Sequence, residues 1–326
     1  MEAPRIRFQA PTPSQEPISV KTDLPPPNDV KDKEETEEEI EEEPRMERLT
    51  FEDIVEDKKI SKEERMKDLE NLVKYKAEAN ERKFAGNKYL YHYQMENLCK
   101  TKVGNKPSLY EVMNDDRKYA KLYENAMKLK RTGTLANRLF EANRFNGAVV
   151  FFKPSTAKWL YKKFGATKVL DFTAGWGGRM LGAYALNIAY TGIDTNINLR
   201  PAYDEMIEEL GRDNLKMIWD SCLNVDFSTI DYDFVLTSPP YVNLEVYENM
   251  TPFESNKQFY EKFMIPMIEK SLKYIKNDGR VCINISPKMY DDLISFGFRK
   301  CDEEYDLLQQ KRLGKDKQDK IYVWVN

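Results

Sequence analysis

The chain has 326 residues, enough for one large domain with an appendage or for two modest domains, and it carries a net charge of −4. One histidine, His92, and four cysteines without CxxC spacing disfavour a histidine-based metal site, a Ser/His triad, a zinc ribbon and a disulfide framework. No apolar run approaches membrane-spanning length and the N-terminus lacks a signal-peptide core, so we expect an intracellular, soluble protein of the cytoplasm or nucleus, not a secreted one, with no membrane partner and no metal.

The N-terminal segment, residues 1–45, is rich in Pro, Glu, Lys and Asp and has few large apolar groups, which predicts a disordered acidic tail. Within it, residues 34–43 contain eight glutamates and no basic residue. Removing these eight charges from the total of −4 leaves +4 for the rest of the chain. A mildly basic body is compatible with a nucleic-acid partner. The tail serves either as a solubilising segment or as a partner-binding arm.

Residues 46–145 have a helical pattern. Ser61 with Glu64, and Ser108 with Glu111, have the spacing of capping boxes. Residues 100–138 carry ten basic and four acidic side chains, with tyrosines among them. This segment is either a DNA-recognition region that follows a phosphate backbone or a helical cap whose aromatic side chains pack on the core.

After residue 146 short β-type runs alternate with helical stretches. The runs are AVVFF, KVLDF, IAYTGID, KMIWD, DFVLTS and GRVCINIS, followed by FRKCDEEYDLL and KIYVWVN. Strand and helix in alternation predict a parallel sheet covered on both faces. The last two runs are joined by a polar loop, residues 309–320, and predict a terminal antiparallel hairpin.

The run KVLDFTAGWGGRM (168–180) predicts a strand that ends at Asp171, a glycine-rich turn and then a helix. Gly175 and Gly177 permit a tight turn and a close approach of the backbone to a ligand. The dinucleotide spacing GxGxxG is not met, because Met180 stands at its third position, and there is no GxxxxGK[ST]. A nicotinamide or nucleoside triphosphate site is therefore disfavoured, and taken alone the turn is equally compatible with simple packing.

Three further strand ends carry polar groups. The next strand ends at Asp194, 23 residues after Asp171, which is about where an acidic side chain commonly binds a nucleoside ribose. The third ends with Asp220, and the fourth runs into TSPPY at residues 237–241. Ligands of open α/β sheets bind at the carboxyl ends of the strands. Four such ends in succession are more specific than any one of them.

The TSPPY segment contains two consecutive prolines, Pro239 and Pro240, which end a hydrogen-bond ladder and fix φ near −65°. The result is a stiff segment whose carbonyl groups are not drawn into a helix. It either terminates a strand, with Tyr241 packed in the core, or presents acceptors and a phenol ring to a ligand.

With these motifs, residues 146–326 resemble the S-adenosylmethionine-dependent amino-methyltransferases of DNA. TSPPY matches their [DNS]-PP-[YFW] motif, and DFTAGWG matches their cofactor loop. FFKPSTAKWLYKKF (151–164) resembles the segment that precedes that loop. The resemblance implies an α/β methyltransferase domain over 146–326. Its Rossmann-like seven-stranded sheet would have an antiparallel C-terminal hairpin and be preceded by the helical region.

The resemblance also implies that the protein is an enzyme whose cofactor is S-adenosyl-L-methionine. Asp171 and the two glycines would hold the methionine end, Asp194 the ribose hydroxyls and Asp220 the adenine amino group, while Lys153 and Pro154 would line the methionine pocket. Thr173 stands where the family usually has phenylalanine, with Phe172 one position early. The residues assigned to the cofactor are Lys153, Pro154, Asp171, Thr173, Gly175, Gly177, Asp194 and Asp220.

The catalytic residues implied are Ser238, Pro239, Pro240 and Tyr241. The Ser238 side-chain oxygen and the Pro239 carbonyl would accept the protons of an exocyclic amine and direct its lone pair at the methyl group. Tyr241 would stack on a flipped base, while Asn243, Tyr247 and Glu248 would order the following loop.

Serine before the prolines is typical of cytosine-N4 enzymes in this family, so we predict a site-specific DNA methyltransferase that prefers cytosine. An adenine-N6 enzyme is the nearest alternative, and RNA or a protein glutamine are other acceptors. A further alternative, outside catalysis, is an inactive binding subunit that keeps the fold.

Overall fold

Seven strands form one sheet in the order β3-β2-β1-β4-β5-β7-β6. The computed structural model describes residues 47–81, 83–130, 132–144, 149–240, 253–307 and 319–326. The strands are β1 (Lys168–Asp171), β2 (Ala189–Asp194), β3 (Leu215–Trp219), β4 (Phe234–Thr237), β5 (Arg280–Ile285), β6 (Glu303–Asp306) and β7 (Lys320–Val325). β1 to β5 pair in parallel, and β7 pairs antiparallel with both β5 and β6. The predicted fold class, a Rossmann-like α/β sheet with an antiparallel C-terminal hairpin, is confirmed.

Helices cover both faces of the sheet. The helices from α7 onward are α7 (Pro154–Phe164), α8 (Gly178–Tyr184), α9 (Arg200–Leu210), α10 (Asn256–Phe259), α11 (Ile265–Tyr274) and α12 (Pro287–Ser295). A front core lies between the sheet and α7–α9 and includes Leu160, Met180 and Tyr203. A rear core lies between the sheet and α10–α12 and includes Met267 and Leu293. Parallel strands buried on both faces require this apolar composition, which explains the runs of Val, Ile and Leu.

The described residues between 47 and 144 are largely helical, as predicted for the region 46–145. Their helices are α1 (Phe51–Asp57), α2 (Lys62–Lys74), α3 (Asn87–Lys100), α4 (Leu109–Met113), α5 (Asp116–Lys128) and α6 (Leu135–Asn143). The Ser108 and Glu111 side chains form both halves of the predicted capping box, whereas Ser61 makes only the half in which its hydroxyl accepts the Glu64 amide hydrogen. α1, α4, α5 and α6 enclose a third apolar cluster with one side of α3. Tyr119 is fully buried in that cluster, so this tyrosine is a packing residue.

α2 and α3 pack on the front helices of the sheet. Arg65 on α2 makes two hydrogen bonds to the Glu209 carboxylate on α9, at 2.7 and 3.1 Å. The Tyr93 hydroxyl on α3 donates to the same carboxylate at 2.6 Å. The Gln94 amide donates to the carbonyl of Trp176 in the glycine-rich turn at 3.4 Å. Residues 48–326 form one compact unit, in which α2 and α3 contact the elements next to that turn.

One strand prediction is wrong. Residues 149–152 of the AVVFF run belong to no strand and to no helix. Phe151 and Phe152 are nevertheless buried, with the Phe151 ring 5.5 Å from that of Trp176. A Cβ atom built on Gly178 would lie 1.9 Å from the Phe152 carbonyl oxygen, so this segment crosses directly over the start of α8. Its apolar side chains are therefore buried by helix packing, which a short apolar run does not distinguish from sheet burial.

Several predictions concern residues outside the described ranges: the acidic tail 1–45, Tyr241 with Asn243, Tyr247 and Glu248, and most of the polar loop 309–320. Among the helices that are described, none has the length and apolar character needed to cross a membrane.

Candidate active site

Four of the predicted groups lie at the carboxyl ends of adjacent strands. Asp171 ends β1 and Asp194 ends β2, while Asp220 follows the last residue of β3 and Ser238 the last residue of β4. Because the strands stand in the order β3-β2-β1-β4, these four groups follow one another along one edge of the sheet. The sheet therefore gathers residues that are spread over 68 positions of the chain at the edge where such folds bind ligands.

Asp171 is held by a buried ion pair. Its Oδ2 accepts hydrogen bonds from Arg179 Nε at 2.6 Å and from the Tyr190 hydroxyl at 2.7 Å. The side chains of Arg179 and Asp171 are only 5% and 0% exposed. Burial lowers the pKa of Arg179, but the neighbouring carboxylate more than offsets this and the net shift is upward. The second carboxylate oxygen, Oδ1, is buried and has no hydrogen-bond partner among the residues that the structure describes.

The glycine-rich turn after β1 is held by groups from β2 and α9. Gly175 and Gly177 have φ of +58° and +91°, which residues with a Cβ rarely adopt. The Gly175 amide donates to Asp194 Oδ2 at 2.7 Å, and the Tyr203 hydroxyl donates to the Gly175 carbonyl at 3.0 Å. Arg179 also donates to the Thr173 carbonyl. The turn is thus held in place by groups of the protein itself.

Asp194 and Asp220 differ in their surroundings. Burial raises the pKa of the partly exposed Asp194, opposed by hydrogen bonds from the backbone amides of Asn196 and Gly175. Asp220 is exposed, and its Oδ1 accepts from the Ser221 amide at 2.6 Å and from the Asn224 side chain at 3.0 Å. Both carboxylates keep lone pairs beyond those used by these donors, since a carboxylate can accept about four hydrogen bonds.

Thr173 links the turn to the strand that leads into TSPPY. Its amide donates to the Thr237 hydroxyl at 3.1 Å, and the two hydroxyl oxygens lie 2.5 Å apart. Phe172, one position earlier, is buried in the rear core with its ring 6.3 Å from that of Phe227. The departure from the family pattern thus places the aromatic ring in the core and a hydroxyl at the turn.

Ser238 contacts a side chain from the neighbouring strand. Its Oγ accepts a hydrogen bond from Asn284 Nδ2 of β5 at 3.0 Å. Pro239 is buried and Pro240 is partly exposed. The stiff backbone therefore continues directly from a buried strand, and Tyr241 follows it outside the described residues.

Lys153 and Pro154 form the start of α7. Lys153 is the N-cap residue and Pro154 the first helical residue, a position that suits proline because no amide donor is needed there. Lys153 is buried, with its amine 4.8 Å from the centre of the Phe84 ring. Pro154 packs beside Gly86, where an added Cβ atom would lie 3.1 Å from the proline ring. Both residues contact the helical region on the front face.

Histidine and cysteine contribute no metal site. His92 accepts a hydrogen bond from the Ile60 amide, and burial lowers its pKa. Cys99, Cys222 and Cys282 are buried free thiols. Within the described ranges no three His, Cys, Asp or Glu side chains are grouped so that they could hold a metal ion.

Sequence reasoning missed the residues that support the site. They are Arg179, Tyr190, Tyr203, Thr237 and Asn284. Arg179 alone gave a usable signal, because a charged residue in the first turn of a buried helix needs a buried partner. The others are tyrosine, threonine and asparagine residues in strands or in a helix, and only the strand order and the packing of α9 bring them to the turn or to Ser238.

The residues present fit S-adenosyl-L-methionine. The buried, unpartnered Asp171 Oδ1 beside the turn is an acceptor suited to a cationic amine such as that of the methionine end. Glycine at 175 leaves the turn open: a Cβ atom there would come no closer than 3.9 Å to any neighbour.

No protein-family model matches the chain. It is 31% identical over 74 residues to the type II methyltransferase M.MjaVI of Methanocaldococcus jannaschii, an alignment that covers 22% of this chain. The chain spans 36% of the length of that relative.

Many solved structures are similar to the chain at low sequence identity. An rRNA methylase from Streptococcus thermophilus is 14% identical with a TM-score of 0.37, over 54% of this chain and 97% of that one. TrmN from Thermus thermophilus is 14% identical with a TM-score of 0.40, over 64% and 78%. The activity of this chain is therefore inferred from its own site residues.

Proposed function

We propose that this protein is an S-adenosylmethionine-dependent methyltransferase that acts on the exocyclic amine of a base in nucleic acid, DNA in the first place, with cytosine-N4 favoured. The observation that carries the proposal is the succession of Asp220, Asp194, Asp171 and Ser238 along one sheet edge, with Asp171 Oδ1 buried and unpartnered. The relative from M. jannaschii is named a type II methyltransferase, which supports methyl transfer as the reaction.

The cofactor half of the site is assigned to the first three strand ends. Asp171 and the turn at Gly175 and Gly177 bind the methionine end, Asp194 the ribose and Asp220 the adenine amino group. Lys153, Pro154 and Thr173 line the same half. When bound, S-adenosyl-L-methionine supplies a methyl group on a positively charged sulfur, open to attack by a nitrogen lone pair.

The acceptor half is assigned to TSPPY. The Ser238 oxygen and the Pro239 carbonyl accept hydrogen bonds from the two N–H groups of the amine and orient the nitrogen lone pair. The two prolines restrict the backbone, so the acceptors are positioned before the substrate arrives. The amine loses a proton after attack, so a strong general base is not required. Tyr241 stacks on the base.

The proposal is tested by incubating the full chain with S-adenosylmethionine that carries a radiolabelled methyl group and with genomic DNA, total RNA or protein lysate in parallel. We expect label in DNA, recovered as 4-methylcytosine after digestion. Ser238→Ala should lower the rate about a hundred- to a thousandfold, because one preorganised acceptor is removed. Ser228→Ala, at an exposed serine of the same domain, is the matched control and should leave the rate unchanged.

Other results would change the assignment in defined ways. Label in 6-methyladenine would reject the cytosine preference and keep the mechanism. Label only in RNA or in protein would reject DNA as the substrate. Failure to bind the cofactor in a calorimetric titration would reject the enzyme and favour a binding subunit.

A further inference from the structure

Asn284 is a polar side chain at a position where the sheet is otherwise apolar. Two residues earlier on the same strand face, Cys282 is fully buried in the front core. The residue opposite Asn284 on β7, Ile321, is also fully buried in that core. Asn284 itself is 4% exposed. An apolar residue is what the pattern predicts here, so the amide calls for an explanation.

The amide is only half satisfied. Asn284 Nδ2 donates to Ser238 Oγ at 3.0 Å, whereas Oδ1 is buried and has no partner within the described ranges. A buried acceptor without a donor costs about 1–3 kcal/mol of folding free energy. Thus the single described hydrogen bond of the Asn284 amide is made to Ser238 of TSPPY. The amide oxygen, which has no described donor, destabilises the folded state.

Sheet register brings the two residues together. Thr237 pairs with Ile283 across β4 and β5, so the following residues, Ser238 and Asn284, stand side by side at the carboxyl ends of these strands. Side chains alternate between the faces of a sheet. Asp171 lies two residues after Val169, and Asn284 two residues after Cys282, and both Val169 and Cys282 belong to the front core. Asn284 therefore faces the same side of the sheet as Asp171.

An amide can hold a serine hydroxyl in two ways. When its nitrogen donates to Oγ, as here, one lone pair of the hydroxyl is occupied. A half-turn of the amide group exchanges its oxygen and nitrogen, whose positions are assigned from the hydrogen-bond network. The oxygen then accepts the hydroxyl proton, and both lone pairs of Oγ are available to an amine.

We propose that Asn284 is a positioning residue for Ser238. While an amine substrate is bound, the Asn284 amide oxygen accepts a hydrogen bond from the Ser238 hydroxyl. Ser238 then acts purely as an acceptor towards that amine. The inference rests on the proposed function, since it assigns Asn284 a part in the same methyl transfer. The positioning role explains why Asn284 contacts Ser238. It also explains why a buried position carries an amide whose oxygen has no partner among the described residues.

Two variants at this position separate positioning from folding. Asn284→Leu removes the amide but fits an apolar site, so we expect equal or greater resistance to urea and an unchanged dissociation constant for S-adenosylmethionine. Its kcat should fall about tenfold or more, with little change in KM for the cofactor. Asn284→Asp keeps an oxygen that accepts the hydroxyl proton, and we expect it to recover most of the lost kcat.

A double-mutant cycle tests whether Asn284 acts through Ser238. In a Ser238→Ala background, Asn284→Leu should have no further effect on kcat, because no hydroxyl remains to be oriented. Asn80→Leu is the matched control: the Asn80 amide nitrogen donates to the Asp306 carbonyl at 2.8 Å and its oxygen is likewise buried and unpartnered. This control should leave kcat unchanged.

A kcat for Asn284→Leu within twofold of the wild type would overturn the inference. It would also be overturned if the losses of kcat caused by Ser238→Ala and by Asn284→Leu multiplied in the double variant. A wild-type protein that transfers no methyl group to any acceptor would instead overturn the proposed function, and the positioning role with it.

Discussion

The two oxygens of the Asp171 carboxylate differ in their surroundings, and the proposed function gives each oxygen its own task. One oxygen neutralises Arg179 and accepts from Tyr190, and the other is left without a partner at the turn. A buried ion pair stabilises little in net terms, but removing one partner leaves an uncompensated charge. The pair therefore holds the turn in shape, and under the proposed function the second oxygen accepts from the amine of the cofactor.

The two tasks can be separated by mutation. Asp171→Asn should lower the free energy of unfolding by about 3–5 kcal/mol, because Arg179 remains charged and buried. The double variant Asp171→Leu, Arg179→Met should recover most of that stability, since no charge is then buried. Neither variant should bind S-adenosylmethionine well: loss of one charged hydrogen bond predicts about a ten- to hundredfold rise in dissociation constant.

Urea unfolding and calorimetric titration measure these two quantities independently. Wild-type affinity in the double variant would show that Asp171 is only a structural residue.

At the scale of elements, one lysine joins α2 to α7. The amine of Lys158, a buried residue of α7, donates to the carbonyls of Leu72, Val73 and Tyr75 at 2.7–2.9 Å. These carbonyls lie at the end of α2, where a helix has no internal donors left, and a cation there also favours the helix dipole. The buried charge is thus explained by the helix end that it caps.

Lys158→Met should lower the free energy of unfolding by about 2–4 kcal/mol, because the methionine keeps the apolar stem but leaves three carbonyls without their donor. The matched control is Lys162→Met, since the exposed Lys162 amine donates to a single carbonyl, that of Lys76, at 2.7 Å. Its effect should be below about 0.5 kcal/mol. Urea unfolding measures both, and equal losses in the two variants would contradict the capping role.

At the scale of the whole molecule, Glu209 connects the helical region to the sheet layer. The hydrogen bond from Arg65, together with that from Tyr93, lowers the pKa of Glu209 to about 2, against an ordinary value of 4.5. A carboxyl group whose pKa falls on folding stabilises the folded state above its unfolded pKa. That stabilisation is lost as the pH falls through the interval from 4.5 to about 2.

Glu209 is predicted to contribute about 2 kcal/mol to the free energy of unfolding at pH 7. This is less than its full pKa shift would give, because the carboxylate is partly exposed to solvent. Glu209→Gln should therefore be less stable than the wild type at pH 7, with a difference that narrows steadily below pH 4.5. Unfolding by urea at steps from pH 7 to pH 3 provides the measurement. Glu205→Gln, at an exposed position of the same helix, is the matched control and should change the free energy of unfolding at pH 7 by less than about 0.5 kcal/mol. If the difference in unfolding free energy between Glu209→Gln and the wild type were the same at every pH, Glu209 would not be the group responsible for this pH dependence.

The sequence by itself determined the fold class and the residues at which the predicted strands end. Alternating apolar runs and helical stretches specify a sheet buried on both faces, because burial of apolar surface and the period of each element are local properties of the chain. The glycine turn and the double proline were recognisable for the same reason, since backbone restriction belongs to the residue itself. The AVVFF run was misassigned because apolar character reports burial without saying which neighbour provides it.

Only the tertiary structure decided which residues support these groups. Arg179 reaches Asp171, Thr237 reaches Thr173 and Asn284 reaches Ser238 across distances of 8, 64 and 46 positions. The last two contacts depend on strand order and register, and the first depends on how the turn leads from β1 into α8, none of which a single polar residue encodes. Hydrogen bonds between side chains are directional and short-ranged, so they exist only once the packed sheet has placed both partners.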